Sequence, residues 1–385
     1  MIDAVFEDDS IAIRPTVVEV NLSALRRNVA AVRSLSGDAQ IMATVKANAY
    51  GHGLIRTSRE LLAAGAQQLG VAFLEEGIAL RKAGVTAPIL VLGGIIGNQI
   101  SHFLEYDLQL TASSVYKLQQ IEETAAQTGR RAQVHVKIDT GMGRIGVRHE
   151  HAPQLFEAAI RAKHCDLRGI FSHFSSSHSA DTAFTRLQLE RFHDASEFFP
   201  KHGLSMPLRH IANSGAILQH PEAILDMVRP GIMLYGVYPD REVRQSVELA
   251  PVLSFKTRVV YFKVVRQGQA IGYDHTWTAP ADTRVVTLPV GYGDGYSRSL
   301  SNKGEVLING RRYPIAGTIS MDQCMVDIGG DSAYNDDEAM LIGSQNGERI
   351  TIEEIARRIG TIPYEVLTMI NTRVPRRYVE VGSRE

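Results

Sequence analysis

A lysine stands at the end of an apolar segment in the stretch MATVKANAYGHG, residues 42–53. The first letters of this stretch are typical of a buried strand, and its closing GHG is typical of a tight turn. Lys46 lies between the two. Lysine is rarely buried without a partner, and the plain alternative is a surface lysine at a strand edge. An amine held at the end of a strand is, however, suited to act as a nucleophile or a base.

Other polar residues also close apolar segments that have the composition of strands. In chain order they are Lys137, Asp139, Arg144, His173, Asn213, Ser214 and Arg229, and Gly231 follows the last of them. Each of them alone is a weak signal, since a lone histidine or lysine is more often structural. Five strand ends that carry such groups favour one shared site, because the carboxyl ends of barrel strands form one mouth where barrel enzymes keep their chemistry.

The last two of these segments, NSG and RPGI, supply a hydroxyl and backbone N–H groups. Barrels frequently bind phosphate after their seventh and eighth strands. A phosphate site together with a strand-end lysine suggests pyridoxal phosphate, whose aldehyde forms a Schiff base with a lysine amine. Arg229 fits this cofactor, because an arginine donates to the pyridine nitrogen without protonating it.

The elements that position these residues alternate between strand and helix from residue 16 to about 236. Such alternation predicts a parallel sheet covered by helices, and the length fits an eight-stranded barrel. Nine segments have the composition of strands. The first, TVVEV, alternates apolar and polar residues, whereas barrel strands are buried on both faces and read as continuous apolar runs. We therefore place TVVEV outside the barrel and begin the barrel with IMATVK.

From about residue 249, short strands are separated by Gly, Pro and Asn turns, which predicts a mainly β domain. The expected fold class is thus α/β: an N-terminal (β/α)8 TIM-like barrel followed by a mainly β C-terminal domain. We expect residues 21–248 to form the barrel and residues 249–385 the β domain. Residues 1–20 are expected to contribute a strand to the β domain.

The overall composition excludes several classes of protein. The formal net charge is −1, which gives no reason to expect binding to nucleic acid or to an anionic membrane. No run of about 18 apolar residues is present, and the N-terminal apolar stretch is too short for a signal peptide. The chain has two cysteines, too few for a disulfide framework. We expect a cytoplasmic protein.

Seven motifs, in this order along nearly the whole chain, resemble those of alanine racemases, the barrel-type pyridoxal phosphate enzymes. They are VKANAYGHG, KIDTGMGRIG, HIANSGA, MVRPGIMLYG, VGYGDGYSR, AGTISMDQ, and YEVLTMI followed by RVPR. The resemblance implies a racemase that interconverts L-alanine and D-alanine and supplies D-alanine for peptidoglycan. It also implies a homodimer in which the β domain of one subunit completes the active site of the other.

The resemblance assigns roles to particular residues. Lys46 holds the cofactor and is one catalytic base, and Tyr292 is the other. The phosphate is held by Tyr50, Ser214, the Gly231 and Ile232 amides, and Tyr364. Arg229 contacts the pyridine nitrogen, with His173 behind it. Arg144 contacts the cofactor's phenolic oxygen and the substrate carboxylate, which the Met321 amide also meets. Lys137 matches a lysine that is often carbamylated in this family.

Two bases explain racemisation, because one removes the α-proton from one face and the other returns a proton to the opposite face. The sequence departs from the family pattern at Asp274, at Gly293 and in the loop Ser175–His178. The departures at Asp274 and in the loop leave substrate preference open. A racemase for serine or a broader set of small amino acids is the first alternative, and a barrel-type amino-acid decarboxylase is the second. A non-catalytic carrier of pyridoxal phosphate would not need Tyr292.

Two other motifs are weaker. GMGRIG, residues 141–146, matches a dinucleotide-binding fingerprint, but VRHEHAP follows before any helix can begin. The HEH at residues 149–151 lacks metal-ligand spacing, and we expect no metal site.

Overall fold

Parallel strands and helices make up the larger of two units in the computed structural model, which describes residues 13–380. The barrel unit comprises Leu25–Ala49 and Leu54–Ala250. The β unit comprises the described residues of Met1–Ala24, Tyr50–Gly53 and Pro251–Glu385. The expected N-terminal segment 1–20 includes residues 1–12, which lie outside the described part of the chain.

The first strand, β1 (Val17–Asn21), belongs to the β unit. It pairs antiparallel with β11 (Leu253–Arg258), so that Val20 faces Leu253. On its other side it pairs parallel with β21 (Arg376–Val379). Its alternating sequence therefore lies in the interior of a mixed sheet rather than in the barrel.

Eight parallel strands form the barrel. They are β2 (Gln40–Thr44), β3 (Gln68–Val71), β4 (Ile89–Val91), β5 (Leu110–Ala112), β6 (Ala132–Asp139), β8 (Cys165–Phe171), β9 (Leu208–His210) and β10 (Met227–Val228); a short strand, β7 (Val147–Arg148), pairs beside β6. Two ladders run in the orders β10-β2-β3-β4 and β5-β6-β8-β9. A parallel bridge between Leu90 and Gln109 joins them on one side. On the other, the Arg229 N–H donates to the Ala212 carbonyl at 2.9 Å. The ring is closed, and the expected eight-stranded barrel is confirmed.

Helices alternate with these strands and bury one apolar face each. They span Leu22–Ser36, Leu54–Ala63, Leu74–Lys82, Ile100–Glu105, Val115–Thr128, Ala152–Arg161, Ala183–Ser196, Phe198–Lys201 and Ser214–Gln219. The barrel strands are almost wholly buried, as in β3 and β4, because both of their faces are covered. None of the helices in residues 13–380 has the length and hydropathy that a membrane span requires.

The β unit contains three sheets and two helices. Its other strands are β12 (Tyr261–Val265), β13 (Ala270–Ile271), β14 (Trp277–Thr278), β15 (Thr283–Leu288), β16 (Glu305–Ile308), β17 (Arg311–Pro314), β18 (Cys324–Gly329), β19 (Glu338–Gln345) and β20 (Glu348–Ile350). The main sheet has the order β17-β16-β19-β11-β1-β21, with β20 paired to β19. The helices are Ile352–Ile359 and Pro363–Met369. The expected mainly β character of this part is confirmed.

Short 3-10 turns carry several of the residues discussed below. They span Gly97–Gln99, His149–His151, Pro221–Ala223, Ile232–Tyr235, Tyr273–His275, Tyr292–Asp294 and Arg298–Leu300.

Candidate active site

Lys46 opens a left-handed turn at the end of the first barrel strand. The strand ends at Thr44, and the four residues Ala47–Tyr50 all have φ between 51° and 56°. The turn is closed by a hydrogen bond of 2.8 Å from the Ala49 N–H to the Val45 carbonyl. For residues other than glycine, this conformation costs about 1–2 kcal/mol each. Strain of this kind is concentrated at functional sites, where the surrounding structure enforces it.

Glu76, which the sequence interpretation missed, supports this turn. Its carboxylate accepts the N–H of Ala47 at 2.6 Å and the N–H groups of Ala72 and Phe73 at 2.8 and 3.2 Å. A glutamate three residues after the residue that precedes a helix is a known capping signal, and FLEE contains it. That signal does not predict the hydrogen bond between Glu76 and Ala47, which are 29 residues apart in the sequence.

The Lys46 ammonium group is destabilised by its surroundings. Burial, then the Arg144 cation, and then the Arg229 cation lower its pKa, and Glu76 opposes them. A lower pKa increases the fraction of unprotonated amine at neutral pH, and this is the form that attacks an aldehyde or accepts a proton. The exposed Arg144 side chain is therefore close enough to act on Lys46 electrostatically.

Arg229 is buried and held by the barrel wall. Its two Nη atoms make five contacts: with Nδ1 and the carbonyl of His210 at 2.7 and 2.8 Å, the Ser172 carbonyl at 2.6 Å, the Ile211 carbonyl at 3.3 Å and His173 Nδ1 at 3.5 Å. Burial lowers the pKa of Arg229 to about 9, which leaves it charged at neutral pH. The Arg229 Nε–H donates to no acceptor among the described residues, so it is available to a ligand.

A chain of hydrogen bonds runs from Arg229 through the barrel interior, and its direction is fixed because arginine can only donate. His210 accepts at Nδ1, so its Nε2–H donates to His135 Nδ1 at 2.9 Å. His135 in turn donates from Nε2 to Gln109 Oε1 at 3.1 Å. Gln109 donates to Gln133 at 3.3 Å, and Gln133 donates to Asp107 at 3.1 Å.

His210 and His135 are both neutral in this chain. Burial and the Arg229 cation hold the pKa of His210 well below its ordinary value. Burial and the cations of Arg168 and Arg229 lower the pKa of His135 to about 3. The sequence interpretation missed both histidines, because a single histidine within an apolar strand is more often a buried structural residue.

His173 lies at the edge of the same cluster. Its Nδ1 is 3.5 Å from Arg229 Nη2, whereas His210 makes the shorter contact with that guanidinium. Burial and the cations of Arg229, Lys137, Arg144 and Lys46 hold the pKa of His173 well below its ordinary value. The ring is therefore neutral.

Lys137 is buried against an aromatic ring. Its Nζ lies 4.5 Å from the centroid of Phe171, whose ring stacks on His210 with an interplanar angle of 1°. Burial and the cations of Arg229 and Arg144 lower the pKa of Lys137 far below its ordinary value, although Asp139 opposes them. A neutral amine in such a place is chemically reactive.

Ser214 joins the loops that follow β9 and β10. Its buried hydroxyl accepts the N–H of Gly231 at 2.9 Å and that of Met233 at 3.4 Å. The Gly231 amide is thus already bonded to Ser214, whereas the Ile232 N–H has no acceptor among the described residues. The Tyr235 hydroxyl donates to the Thr44 carbonyl at 2.9 Å and ties the second loop to the end of β2.

The loop with the unusual sequence HFSSSHSAD is also tied to this region. Ser175 donates from both its N–H and its hydroxyl to Gln188 Oε1, at 3.0 and 3.1 Å. The Ser177 hydroxyl donates to Asn213 Oδ1 at 2.6 Å, next to Ser214. Asn213 Oδ1 also accepts the Ala216 N–H at the start of helix Ser214–Gln219.

Within the β unit, Tyr50 and Tyr364 lie together. Their ring centroids are 6.1 Å apart, at an interplanar angle of 47°. Burial, and then the neighbouring Tyr364, raise the pKa of Tyr50, so its phenol stays protonated. The adjacent Gly51 has φ +81°, and a Cβ on it would lie 2.3 Å from the Leu367 carbonyl oxygen. Only glycine fits this position.

Tyr292 and Met321 form a second pair within the β unit. The Tyr292 N–H donates to the Ser320 carbonyl at 3.1 Å, and the Gly293 N–H donates to the Met321 carbonyl at 2.9 Å. Both side chains are exposed, Tyr292 to 43% and Met321 to 53%. Asp274, in IGYDHTW, has φ 59°, a backbone conformation that favours glycine.

The candidate residues are thus divided between the two units. The barrel unit contains Lys46, Lys137, Arg144, His173, Ser214, Arg229, Gly231 and Ile232, and the β unit contains Tyr50, Tyr292, Met321 and Tyr364.

Two matches to known proteins cover most of the chain. Residues 20–239 match the N-terminal domain of alanine racemases, and residues 252–378 match their C-terminal domain. The chain belongs to the alanine racemase family. Alanine racemase 2 of Caldanaerobacter subterraneus subsp. tengcongensis is 43% identical to it over 373 residues, or 96% of either chain.

Solved alanine racemase structures are similar throughout. The crystal structure of the enzyme from Bacillus anthracis with bound L-Ala-P has a TM-score of 0.91 and 35% identity, covering 96% of both chains. That of the enzyme from a D-cycloserine-producing Streptomyces lavendulae also has a TM-score of 0.91 and 35% identity, covering 96% of this chain and 98% of its own.

The barrel residues fit pyridoxal phosphate, the cofactor of the alanine racemase family. Lys46 offers an amine with a lowered pKa, and Arg229 offers a free Nε–H on a guanidinium that is otherwise fixed. The loops after β9 and β10 offer the Ser214 hydroxyl and the Ile232 N–H. These are the three kinds of group that an aldehyde, a pyridine nitrogen and a phosphate require.

Proposed function

We propose that this chain is a pyridoxal phosphate-dependent alanine racemase that interconverts L-alanine and D-alanine. Membership of the alanine racemase family supports this reaction. The observation that carries the proposal is Lys46, an amine of lowered pKa on a strained turn at the mouth of the barrel. A lysine that served only solubility would require neither feature.

The cofactor would be held at three places. Lys46 binds its aldehyde carbon, and Arg229 donates to its pyridine nitrogen, with His173 behind that arginine. Its phosphate is bound by Tyr50, Ser214, the backbone amides of Gly231 and Ile232, and Tyr364. The Gly231 N–H already donates to the Ser214 hydroxyl at 2.9 Å. Of the two amides, we therefore expect the Ile232 N–H to make the more direct hydrogen bond to the phosphate.

When bound, pyridoxal phosphate withdraws electrons from the α-carbon of the amino acid and makes its proton acidic. Arg229 limits that withdrawal, because a guanidinium with a pKa of about 9 donates a hydrogen bond but keeps its proton at neutral pH. The neutral His210 accepts the hydrogen bond of Arg229 and donates in turn to the neutral His135, so neither histidine easily supplies a further proton. The expected result is a racemase with little side transamination.

Two residues move the α-proton. The amine of Lys46 takes or gives it on one face, and the phenol of Tyr292 does so on the other. Their ordinary pKa values are near 10, and the lowered pKa of Lys46 brings it closer to working pH. Arg144 and the Met321 amide bind the substrate carboxylate, and Arg144 also contacts the cofactor's phenolic oxygen.

Lys137 is proposed to be carbamylated. Burial and the neighbouring cations lower the pKa of Lys137 and so increase the neutral fraction of its amine. The neutral nitrogen bonds to the carbon of carbon dioxide and releases a proton to solvent, which leaves a carbamate anion. The resulting anion would lie close to Arg144 and Arg229, both of which already act on Lys137 electrostatically. It would orient Arg144 toward the substrate.

The active enzyme is proposed to be a homodimer with shared active sites. Tyr292 of the partner subunit serves as the second base, which accords with its exposure in this chain. We place the enzyme in the cytoplasm, where the family supplies D-alanine for peptidoglycan. No nucleic-acid or membrane partner is proposed.

A racemase for serine or a broader range of small amino acids is the second candidate. It is favoured by the departures at Asp274 and at Ser175–His178, where Ser177 bonds Asn213 beside Ser214. A decarboxylase for basic amino acids is less favoured, because it requires an acidic substrate pocket and a reactive cysteine. We identify neither among the described residues. Burial raises the pKa of both Cys165 and Cys324 to about 12.

The proposed function is tested by incubating the purified protein with single enantiomers of alanine and serine, with and without pyridoxal phosphate. We expect cofactor-dependent racemisation of alanine. The variant Lys46→Ala should lose both racemisation and the visible absorbance of the bound cofactor. Unchanged absorbance in this variant would reject the covalent role of Lys46, and faster racemisation of serine than alanine would favour the second candidate.

A further inference from the structure

A buried carboxylate lies two residues after Tyr292. The Asp294 side chain is fully buried and accepts four hydrogen bonds: from Arg14 Nη1 and Nη2 at 2.6 and 2.7 Å, from Arg373 Nε at 2.7 Å and from the Gly291 N–H at 3.0 Å. Although burial alone acts to raise the pKa of Asp294, the bonds from Arg14 and Arg373 lower it. The carboxylate is therefore charged and fixes the turn Tyr292–Asp294 from beneath.

Arg373 also contacts the turn that carries Met321. Its Nη2 donates to the Met321 carbonyl at 3.3 Å and to Asp322 Oδ1 at 2.8 Å. One guanidinium thus bonds the Tyr292 turn through Nε and the Met321 turn through Nη2. Arg14 bonds Asp294 as well, but its remaining contact, at 2.8 Å, is with the Pro289 carbonyl.

Gly293 leaves the space that this guanidinium occupies. A Cβ on Gly293 would lie 2.7 Å from Arg373 Nη2, 2.9 Å from its Cζ and 3.0 Å from the Met321 carbonyl oxygen. Distances under 3.0 Å require a shift of the neighbouring atoms, here the end of a flexible arginine side chain. The absence of a Cβ at Gly293 therefore allows Arg373 to approach the Met321 carbonyl.

We infer that Arg373 is a positioning residue, which fixes the position of the Tyr292 hydroxyl relative to the Met321 amide. The inference rests on the proposed function, in which the first group is a base and the second binds the substrate carboxylate. A base and a carboxylate anchor that shift relative to one another misplace the α-proton, and a misplacement of about 1 Å can reduce the rate about 100-fold.

The test compares Arg373→Met with the matched control Arg14→Met. Both variants remove one arginine from Asp294 and leave it the other arginine and the Gly291 N–H. Only Arg373→Met also removes the side-chain bonds to Met321 and Asp322, while the backbone bonds from Tyr292 to Ser320 and from Gly293 to Met321 remain. The measurements are the thermal midpoint of unfolding, the cofactor absorbance, kcat and KM for alanine, and the exchange of the α-proton of each enantiomer in D2O.

With cofactor absorbance equal in both variants, we expect Arg373→Met to lose about 10- to 100-fold in kcat and to raise KM. Exchange should slow more for the enantiomer whose proton Tyr292 removes. Arg14→Met should keep exchange balanced between the enantiomers. Gly293→Ala displaces the guanidinium but retains its charge, so it should slow α-proton exchange for the same enantiomer as Arg373→Met. If Arg373→Met does not fold, the exchange measured with Gly293→Ala tests the positioning role in its place.

Equal effects of Arg373→Met and Arg14→Met, or balanced exchange in both Arg373→Met and Gly293→Ala, would overturn the positioning role. Different results would reject the proposed function itself. These are an unmodified protein that does not racemise alanine, or a Tyr292→Phe variant that keeps full activity. If racemisation depends on Tyr292 and not on Arg373, only the positioning role is rejected.

Discussion

At the scale of single residues, desolvation and neighbouring cations explain how ordinary side chains become reactive. Lys46, Lys137 and Arg229 all have lowered pKa values, and each is buried at least in part. The cations of Arg144 and Arg229 act on both lysines. Closely spaced positive charge favours the neutral amine, which is the form that bonds an aldehyde, accepts a proton or takes up carbon dioxide.

Substitution of Arg229 tests its electronic role. Arg229→Glu places a carboxyl group where the pyridine nitrogen is expected, and a carboxyl group allows that nitrogen to be protonated. We expect pyruvate formation from alanine to rise relative to racemisation, measured on the protein with its cofactor bound. Arg229→Lys, which retains a positive charge, should not increase it. If Arg229→Glu forms pyruvate no faster than the unmodified protein, the assignment of Arg229 is contradicted.

Residue types predicted much of the candidate site but not its internal support. Lys46, Ser214 and Arg229 could be selected because they close strands of a recognisable barrel. Glu76, His210 and His135 could not, because their partners are 29, 19 and 75 residues away and a capping glutamate or strand histidine is ordinarily structural. Arg373 was contained in the RVPR motif, yet only the fold shows that it contacts both Asp294 and Met321.

At the scale of elements, the left-handed turn after Lys46 is the largest departure from local preference. The sequence predicted a turn here from its glycines, but Ala47–Tyr50 adopt positive φ without any glycine among them. Local rules favour glycine at such positions, so this conformation was not predictable. The bonds from Ala47 to Glu76 and from Leu54 to Asn48 help to enforce it.

A glycine substitution tests the strain in this turn. Ala47 is exposed, so Ala47→Gly should leave the free energy of unfolding unchanged or raise it by up to about 1 kcal/mol. The control is Ala126→Gly, at an exposed position of the helix Val115–Thr128, which should lower it by about 1 kcal/mol. Urea unfolding measures both. An equal loss in the two variants would show that the turn is not strained.

The buried histidines of the barrel predict a pH-dependent stability. His135 has a pKa of about 3 in the folded chain and an ordinary value near 6.5 when unfolded, so the unfolded chain binds more protons between these values. Its stabilising contribution is complete above pH 6.5 and falls, as the pH decreases toward 3, by about 1.4 kcal/mol per pH unit for each such proton.

Urea unfolding at pH 7.5 and pH 5.0 measures this effect. We expect lower stability at pH 5.0, with the same difference in the control variant His102→Asn, since the His102 side chain is 55% exposed. Equal stability at the two pH values would contradict the neutral state of the buried histidines.

At the scale of the whole molecule, strand periodicity predicted the fold class. Nine segments had the composition of strands, one more than the barrel holds, and the alternating pattern of TVVEV identified it as the one outside the barrel. The corresponding strand β1 pairs with β11 and β21 of the β unit. The barrel order could be predicted because sequential parallel strands are usually neighbours. The assignment of Tyr50–Gly53 to the β unit, within a stretch of barrel sequence, could not be predicted from periodicity.

Subunit mixing tests the proposed shared active site. Lys46→Ala and Tyr292→Phe should each be inactive alone. In a mixed dimer, one of the two sites would combine an intact Lys46 with an intact Tyr292 of the partner subunit. Random assembly of equal amounts should restore about a quarter of the full activity. If both variants are dimeric and their co-refolded mixture gains nothing, the site is not shared.

In the proposed mechanism, Lys46 and Tyr292 exchange protons with opposite faces of one α-carbon. The most direct test is α-proton exchange in D2O with Tyr292→Phe, supplied separately with L-alanine and D-alanine, with cofactor absorbance confirming an intact site. We expect racemisation to be lost while one enantiomer still exchanges its α-proton through Lys46 and the other does not. Unimpaired racemisation, or equal exchange of both enantiomers, would contradict the proposed mechanism.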